Sequence, residues 1–99
     1  MKVTAEIEFF ENCEHKLDFP ITKKSRPSHR FKSSSESVLC IGEVTIKNHN
    51  GAEAGIKYEA HVEFIDFSNI ENIIKPGVTW GLYAGPEHLV GEGKVLNVL

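Results

Sequence analysis

The run Val90-Gly91-Glu92-Gly93-Lys94-Val95-Leu96-Asn97-Val98-Leu99 does most to restrict what this chain can become. Its residues favour a strand, yet two glycines one residue apart weaken a flat one, because glycine adds backbone entropy and no packing surface. Such glycines persist where a strand bends sharply, bulges, or lets another group approach its backbone. The segment reads as the closing strand of a small barrel, bent at Gly91 and Gly93.

Other strands follow from period-two alternation. Over residues 3–10, Val3, Ala5, Ile7 and Phe9 share one face, with Thr4, Glu6 and Glu8 on the other. Residues 11–37 are polar, with Pro20, Pro27 and Ser33-Ser34-Ser35, and read as a long excursion with room for a short strand around Arg30–Lys32. Further strands are expected over 38–47, ended by Asn50-Gly51 as a turn signal, and over 59–67, 78–84 and 88–98. Residues 69–74 suit a helical turn or an irregular loop before Pro76-Gly77. No ten-residue segment keeps a helical apolar stripe. The expected fold is all-β: one domain over residues 1–99, a small closed six-stranded antiparallel β-barrel, whose closure removes the exposed edges that promote aggregation.

Composition restricts function more than it defines it. With 40% hydrophobic and 25% charged residues the chain is an ordinary globule. No apolar run approaches the roughly 20 residues that span a bilayer, and the opening residues lack the apolar core of a signal peptide, so cytoplasmic residence is expected. Cys13 in a polar stretch and Cys40 in an apolar one read as thiols rather than a disulfide. The net charge of −3 is unevenly placed. Residues 23–32 hold five of the eleven cations, Lys23, Lys24, Arg26, Arg30 and Lys32, and no acid, which leaves −8 on the other 89 positions. That basic segment is either a solvated loop or the contact for a phosphate-bearing or acidic partner.

Catalytic chemistry finds no support in the spacing. The five histidines form no i, i+4 pair, no Cys-x-x-Cys is present, and Cys13-Glu14-His15 alone cannot complete a tetrahedral site. There is no Gly-x-Ser-x-Gly elbow, and Gly91-x-Gly93 leads into strand rather than the helix a phosphate loop requires. No catalytic residue, metal, nucleotide or other cofactor is expected, and no membrane partner. Among the nine aromatics, Phe10 and Phe67 oppose the apolar parity of their strands. They either cap the barrel ends or form a protein-partner patch. Phe31, between Arg30 and Lys32, suits a base-stacking ring and equally a buried anchor.

Three stretches in order carry a resemblance. They are Lys2-Val3-Thr4-Ala5-Glu6-Ile7-Glu8-Phe9, then Arg26-Pro27-Ser28-His29-Arg30-Phe31, then Pro76-Gly77 through Trp80, Leu82 and Gly85 to the Gly91–Leu99 strand. Together they resemble the C-terminal β-barrel domain of translation elongation factor Tu and its relatives, over nearly the whole chain. The second stretch has Ser25 where that family usually has tyrosine, and the third has one extra residue between Gly85 and Gly91. The resemblance implies a barrel without catalysis that docks on other domains and helps bind aminoacyl-tRNA and an exchange factor. The family's arginine-rich hairpin turn reads Tyr83-Ala84-Gly85-Pro86-Glu87 here, without its cations. Arg26, Pro27, Gly85, Gly91 and Gly93 carry over as structural positions, with Arg26 a partner for a barrel carboxylate.

The expected function is a non-enzymatic module docking a protein partner, as an immunity or antitoxin-type protein or a translation-associated one. The alternative is a tRNA- or RNA-binding barrel using Lys23–Lys32.

Overall fold

The computed structural model describes residues 1–11, 24–33, 36–48, 50–65, 70–84 and 88–99. Its regular structure is all extended: β1 (Lys2–Phe9), β2 (Lys24–Ser25), β3 (Ser28–Ser33), β4 (Glu36–Ile46), β5 (Lys57–Phe64), β6 (Thr79–Tyr83) and β7 (Leu89–Val98). Every pairing is antiparallel. The order β4-β3-β6-β7-β1-β5 returns to β4 through a β4–β5 ladder, which closes a six-stranded barrel with β2 as a short extra strand.

The short strand allowed for around Arg30–Lys32 is present as β3, but the rest of the described excursion is not simply loop: the strand is longer and is preceded by β2. Lys24 faces Thr45 and Ser28 faces Ile41, so β2 and β3 keep one register along β4. They act as a single strand interrupted at Arg26-Pro27, where proline has no amide to donate. Along it His29 and Phe31 point inward and are fully buried, while Lys24 and Arg26 are exposed and Arg30 half-buried. The outward cations disguised a strand as a loop.

A second correction concerns Thr4, expected on the solvent face but buried at 8% exposure. The β1–β7 register shifts between Thr4 and Ala5, whose partners are Asn97 and Val95, so Leu96 has no opposite residue. A similar shift at Leu82/Tyr83 leaves Val90 without one. Extra residues bend and twist the strand that carries them, which suits β7 to its place between β6 and β1 in a small closed cylinder. The strand expected over 59–67 starts two residues earlier, at Lys57, and its assigned strand ends at Phe64. Ahead of β6, Pro76-Gly77 forms a tight turn: Gly77 takes a φ of 93°, and the Val78 amide donates to the Lys75 carbonyl at 3.1 Å.

Four rings fill the interior. Phe31 stacks on Trp80 with centroids 5.3 Å apart, Phe64 meets both edge-on, and His29 sits edge-on to Phe64 at 5.1 Å. Each such pair adds about 0.5–1.5 kcal/mol beyond area burial. Gly93 makes room for this cluster, since a β-carbon there would stand 2.6–2.8 Å from three atoms of the Trp80 ring. At Gly91 one would stand 2.6 Å from the Glu8 carbonyl oxygen. The late glycines therefore serve close approach. Gly93→Ala is expected to cost about 1–3 kcal/mol through overpacking, measured by urea unfolding; an unchanged midpoint would mean that the indole does not rest on that backbone.

Candidate functional site

The outer surface of the barrel has two unlike sides. Across β4, β5 and β1 it is an ionic lattice: Lys2 pairs with Glu63 at 3.7 Å, Lys57 with Glu6 at 3.8 Å and Lys47 with Glu59 at 2.8 Å. The hydrogen bond and charge of Lys47 hold the Glu59 carboxyl below its ordinary range. Exposed pairs of this kind contribute little to stability and keep a surface wet.

The side built on β3, β6 and β7 is different. Ser28 faces Ile41 on one side and Tyr83 on the other, Tyr83 faces Leu89, and the Ile65 amide donates to the Ile41 carbonyl. Ile65, Ile41, Ser28, Tyr83 and Leu89 thus form one lateral row, each about 4.8 Å from the next across the strands. Ile41 is 61% exposed, Ile65 62% and Leu89 43%. In the adjoining row Leu39 faces Arg30, Arg30 faces Gly81, and Gly81 faces Glu92. The Arg30 guanidinium lies 4.5 Å from the centre of the Tyr83 ring, a cation–π contact. Gly81 helps line a groove of about 380 Å³ walled by Phe10, Arg30, Tyr83, Leu89 and Glu92. A β-carbon on Gly81 would come within 2.7 Å of the Tyr83 ring and 3.1 Å of Leu89, so the absent side chain lets those two pack over this stretch of backbone.

No family model matches this chain, and no curated protein is measurably similar to it. The site must be read from its own geometry.

The residues singled out in the sequence fall in several places. Phe10 is half-buried against the groove, its amide donating to the Val90 carbonyl at 2.9 Å, so it meets Arg30 in one site. Phe67, Lys23 and Gly85 lie outside the described residues. Arg26 has the barrel carboxylate anticipated for it, with Nε and Nη2 both 3.2 Å from one oxygen of Glu43. Lys24 stands on the outer wall beside Glu43 and Thr45, away from the groove, and Lys32 is placed by its ladder opposite Ser37. Of the described cations of this segment, Arg30 lines the groove, while Lys24 and Arg26 stand beside Glu43. Phe31 is fully buried and is the anchor rather than a stacking platform. Cys40 is buried, its thiol donating to the Ile41 carbonyl.

His29 was missed as a core residue, although it shares the parity of Phe31. The Trp80 indole N–H donates to its Nδ1 at 2.9 Å, and Nε2 lies 3.1 Å from the Gly42 carbonyl oxygen. An indole nitrogen only donates, so Nδ1 carries no proton and Nε2 donates to Gly42. Burial lowers the His29 pKa from 6.5 to about 4, against a smaller opposing effect of the Gly42 hydrogen bond. A ring sealed between Trp80 and Gly42 is out of reach of any substrate.

Proposed function

We propose that this chain is a non-enzymatic module that docks a protein partner on the outer face where one end of β4 and β5 adjoins β3, β6 and β7. The observation that carries this reading is the row Ile65, Ile41, Ser28, Tyr83 and Leu89, in which the three aliphatic side chains are exposed and Tyr83 half-buried, bordered by Arg30 and the Gly81 groove. Exposed aliphatic side chains gathered beside a tyrosine and an arginine mark interaction sites, since Tyr and Arg are among the residues that most often anchor them. Kinship with the elongation factor Tu barrel family, cytoplasmic residence and an immunity or translation-associated setting belong to the same proposal. Three motifs in family order support the kinship.

The test is a double substitution, Ile41→Lys with Leu89→Lys. Both side chains are exposed, so unfolding is expected to change by no more than about 0.5 kcal/mol. Recovery of a co-purifying protein by the tagged chain is expected to drop at least about tenfold, the loss that removing two apolar anchors produces. Equal recovery by both forms would overturn the docking face.

RNA binding is the second reading, favoured by Lys24, Arg26 and Arg30 lying along one outer strand. Phosphate contacts by these cations would make affinity fall steeply with salt. Against it, Glu43 already engages Arg26, Phe31 offers no exposed ring, and the rest of the chain repels phosphate. A gel shift with tRNA at low salt that shows no complex removes it.

A further inference from the structure

We propose that the barrel opens in acid at one seam, between β3 and β6, with His29 as the latch. Among the described residues the β3–β6 ladder holds three pairs, Ser28 with Tyr83, His29 with Leu82 and Arg30 with Gly81. The other five ladders of the closed ring hold five to seven pairs each. Backbone bonding is thinnest here, and side chains clasp the seam from both faces. On the inside, the Trp80 indole of β6 donates to His29 of β3 at 2.9 Å. On the outside, the Arg30 guanidinium of β3 lies over the Tyr83 ring of β6.

The chemistry of the inner clasp decides which seam yields. His29 is seated on β4: its Nε2 donates to the Gly42 carbonyl, and a β-carbon on Gly42 would stand 3.1 Å from that nitrogen. A second proton on the ring goes to Nδ1, the atom that accepts from Trp80. The imidazolium keeps its donor to Gly42 and loses its acceptor, so two N–H groups then oppose one another across β3–β6. Cys40, buried opposite His29 on β4, is the one other titratable side chain facing the ring among the described residues, and its thiol donates to the Ile41 carbonyl. From β5 and β6 the ring meets Phe64, Leu82 and Trp80, which carry no charge. With no described carboxylate against it, the cation is stabilised only by reaching water.

Parting β3 from β6 lets water in. β3 stays on β4 through six pairs, and β4-β5-β1-β7-β6 remains a continuous sheet. Such an opening exposes less surface than unfolding does, and sub-global openings of this kind lie below the global one in free energy. The seam also crosses the exposed row between Ser28 and Tyr83, although the opening does not depend on the docking reading.

Amide hydrogen exchange on the intact chain between pH 7 and 4.5, corrected for intrinsic rates, tests the proposal. Amides bonded across β3–β6 are expected to open more readily than those of the seven-pair β1–β5 ladder. Low urea should barely change the seam and speed the β1–β5 amides, because the denaturant response scales with the surface exposed. With the ring titrating at about 4 when closed and near 6.5 when open, seam opening should rise about 50-fold over this pH range. His29→Gln, which cannot take the proton, should hold seam opening level. Seam amides that share the opening and the urea response of β1–β5 would show that the barrel yields only as a whole, which overturns the seam. Seam opening that is constant with pH, or that rises as steeply in His29→Gln, overturns the latch. The urea response and the pH response are both read on the unsubstituted chain, so they decide the matter whether or not the variant folds.

Discussion

Trp80→Ala is expected to lower the stability of the barrel by about 3–5 kcal/mol, a third or more of what a domain of this size commonly has. The indole touches the other three rings of the interior: it stacks on Phe31, meets Phe64 edge-on and donates to His29. Gly93 leaves a space that only a flat ring fills. Truncation opens a cavity beside a backbone that cannot collapse into it, and strands Nδ1 of a fully buried imidazole. Trp80→Phe separates the two effects. Phenylalanine restores most of the apolar surface but not the donor, so its cost is expected near the 1–3 kcal/mol of an unsatisfied buried acceptor. Urea midpoints at neutral pH with unchanged slopes give both numbers. A loss below about 1 kcal/mol for Trp80→Ala would mean that the indole is not in the core.

Acid is expected to destabilise the barrel through His29. The unfolded chain takes up a proton near pH 6.5, whereas the folded ring resists until about pH 4, because burial penalises the charged imidazolium. Above pH 6.5 neither state binds that proton and the full stability is present. As pH falls from 6.5 to 4 the unfolded state alone gains it, so stability is lost across that window and the loss levels off below it. The lowering of the pKa corresponds to about 3 kcal/mol at its full extent. His29→Gln, which cannot titrate, should flatten the stability profile over this window whatever its own cost at pH 7. Glu59 acts lower on the scale: its depressed carboxyl supports the fold above its unfolded value of 4.5 and loses that contribution as pH falls further. A wild-type profile flat between pH 7 and 4.5 would show that His29 is not held neutral by burial.

The strands with clean alternation were legible because one face of each is solvent. β1, β4, β5 and β7 announce themselves this way; the two late glycines, read as bends, instead let the Trp80 ring approach Gly93 and the Glu8 carbonyl approach Gly91, while the register shifts fall at Val90 and Leu96. Arg26 was rightly matched to a barrel carboxylate, Glu43. β2 and β3 were obscured because their outward positions carry Lys24, Arg26 and Arg30, so composition outweighed the two inward residues, His29 and Phe31. His29 looked like a surface or ligand residue; only the register that brings Trp80 and Gly42 against it makes it a core residue. The row proposed as a docking face could not be seen at all. Ile41, Ile65, Tyr83 and Leu89 are scattered through half the chain, and only the lateral pairing of five strands gathers them. Phe10 was noticed for its parity, yet its meaning depends on Arg30 and Gly81, which reach it from other strands.

Chemical-shift mapping of the isotope-labelled barrel against its bound partner tests the docking face most directly. Perturbations centred on Arg30, Gly81, Tyr83, Leu89 and Glu92 are expected. Perturbations centred on the ionic wall around Lys2, His61 and Glu63, with β3, β6 and β7 silent, would contradict it.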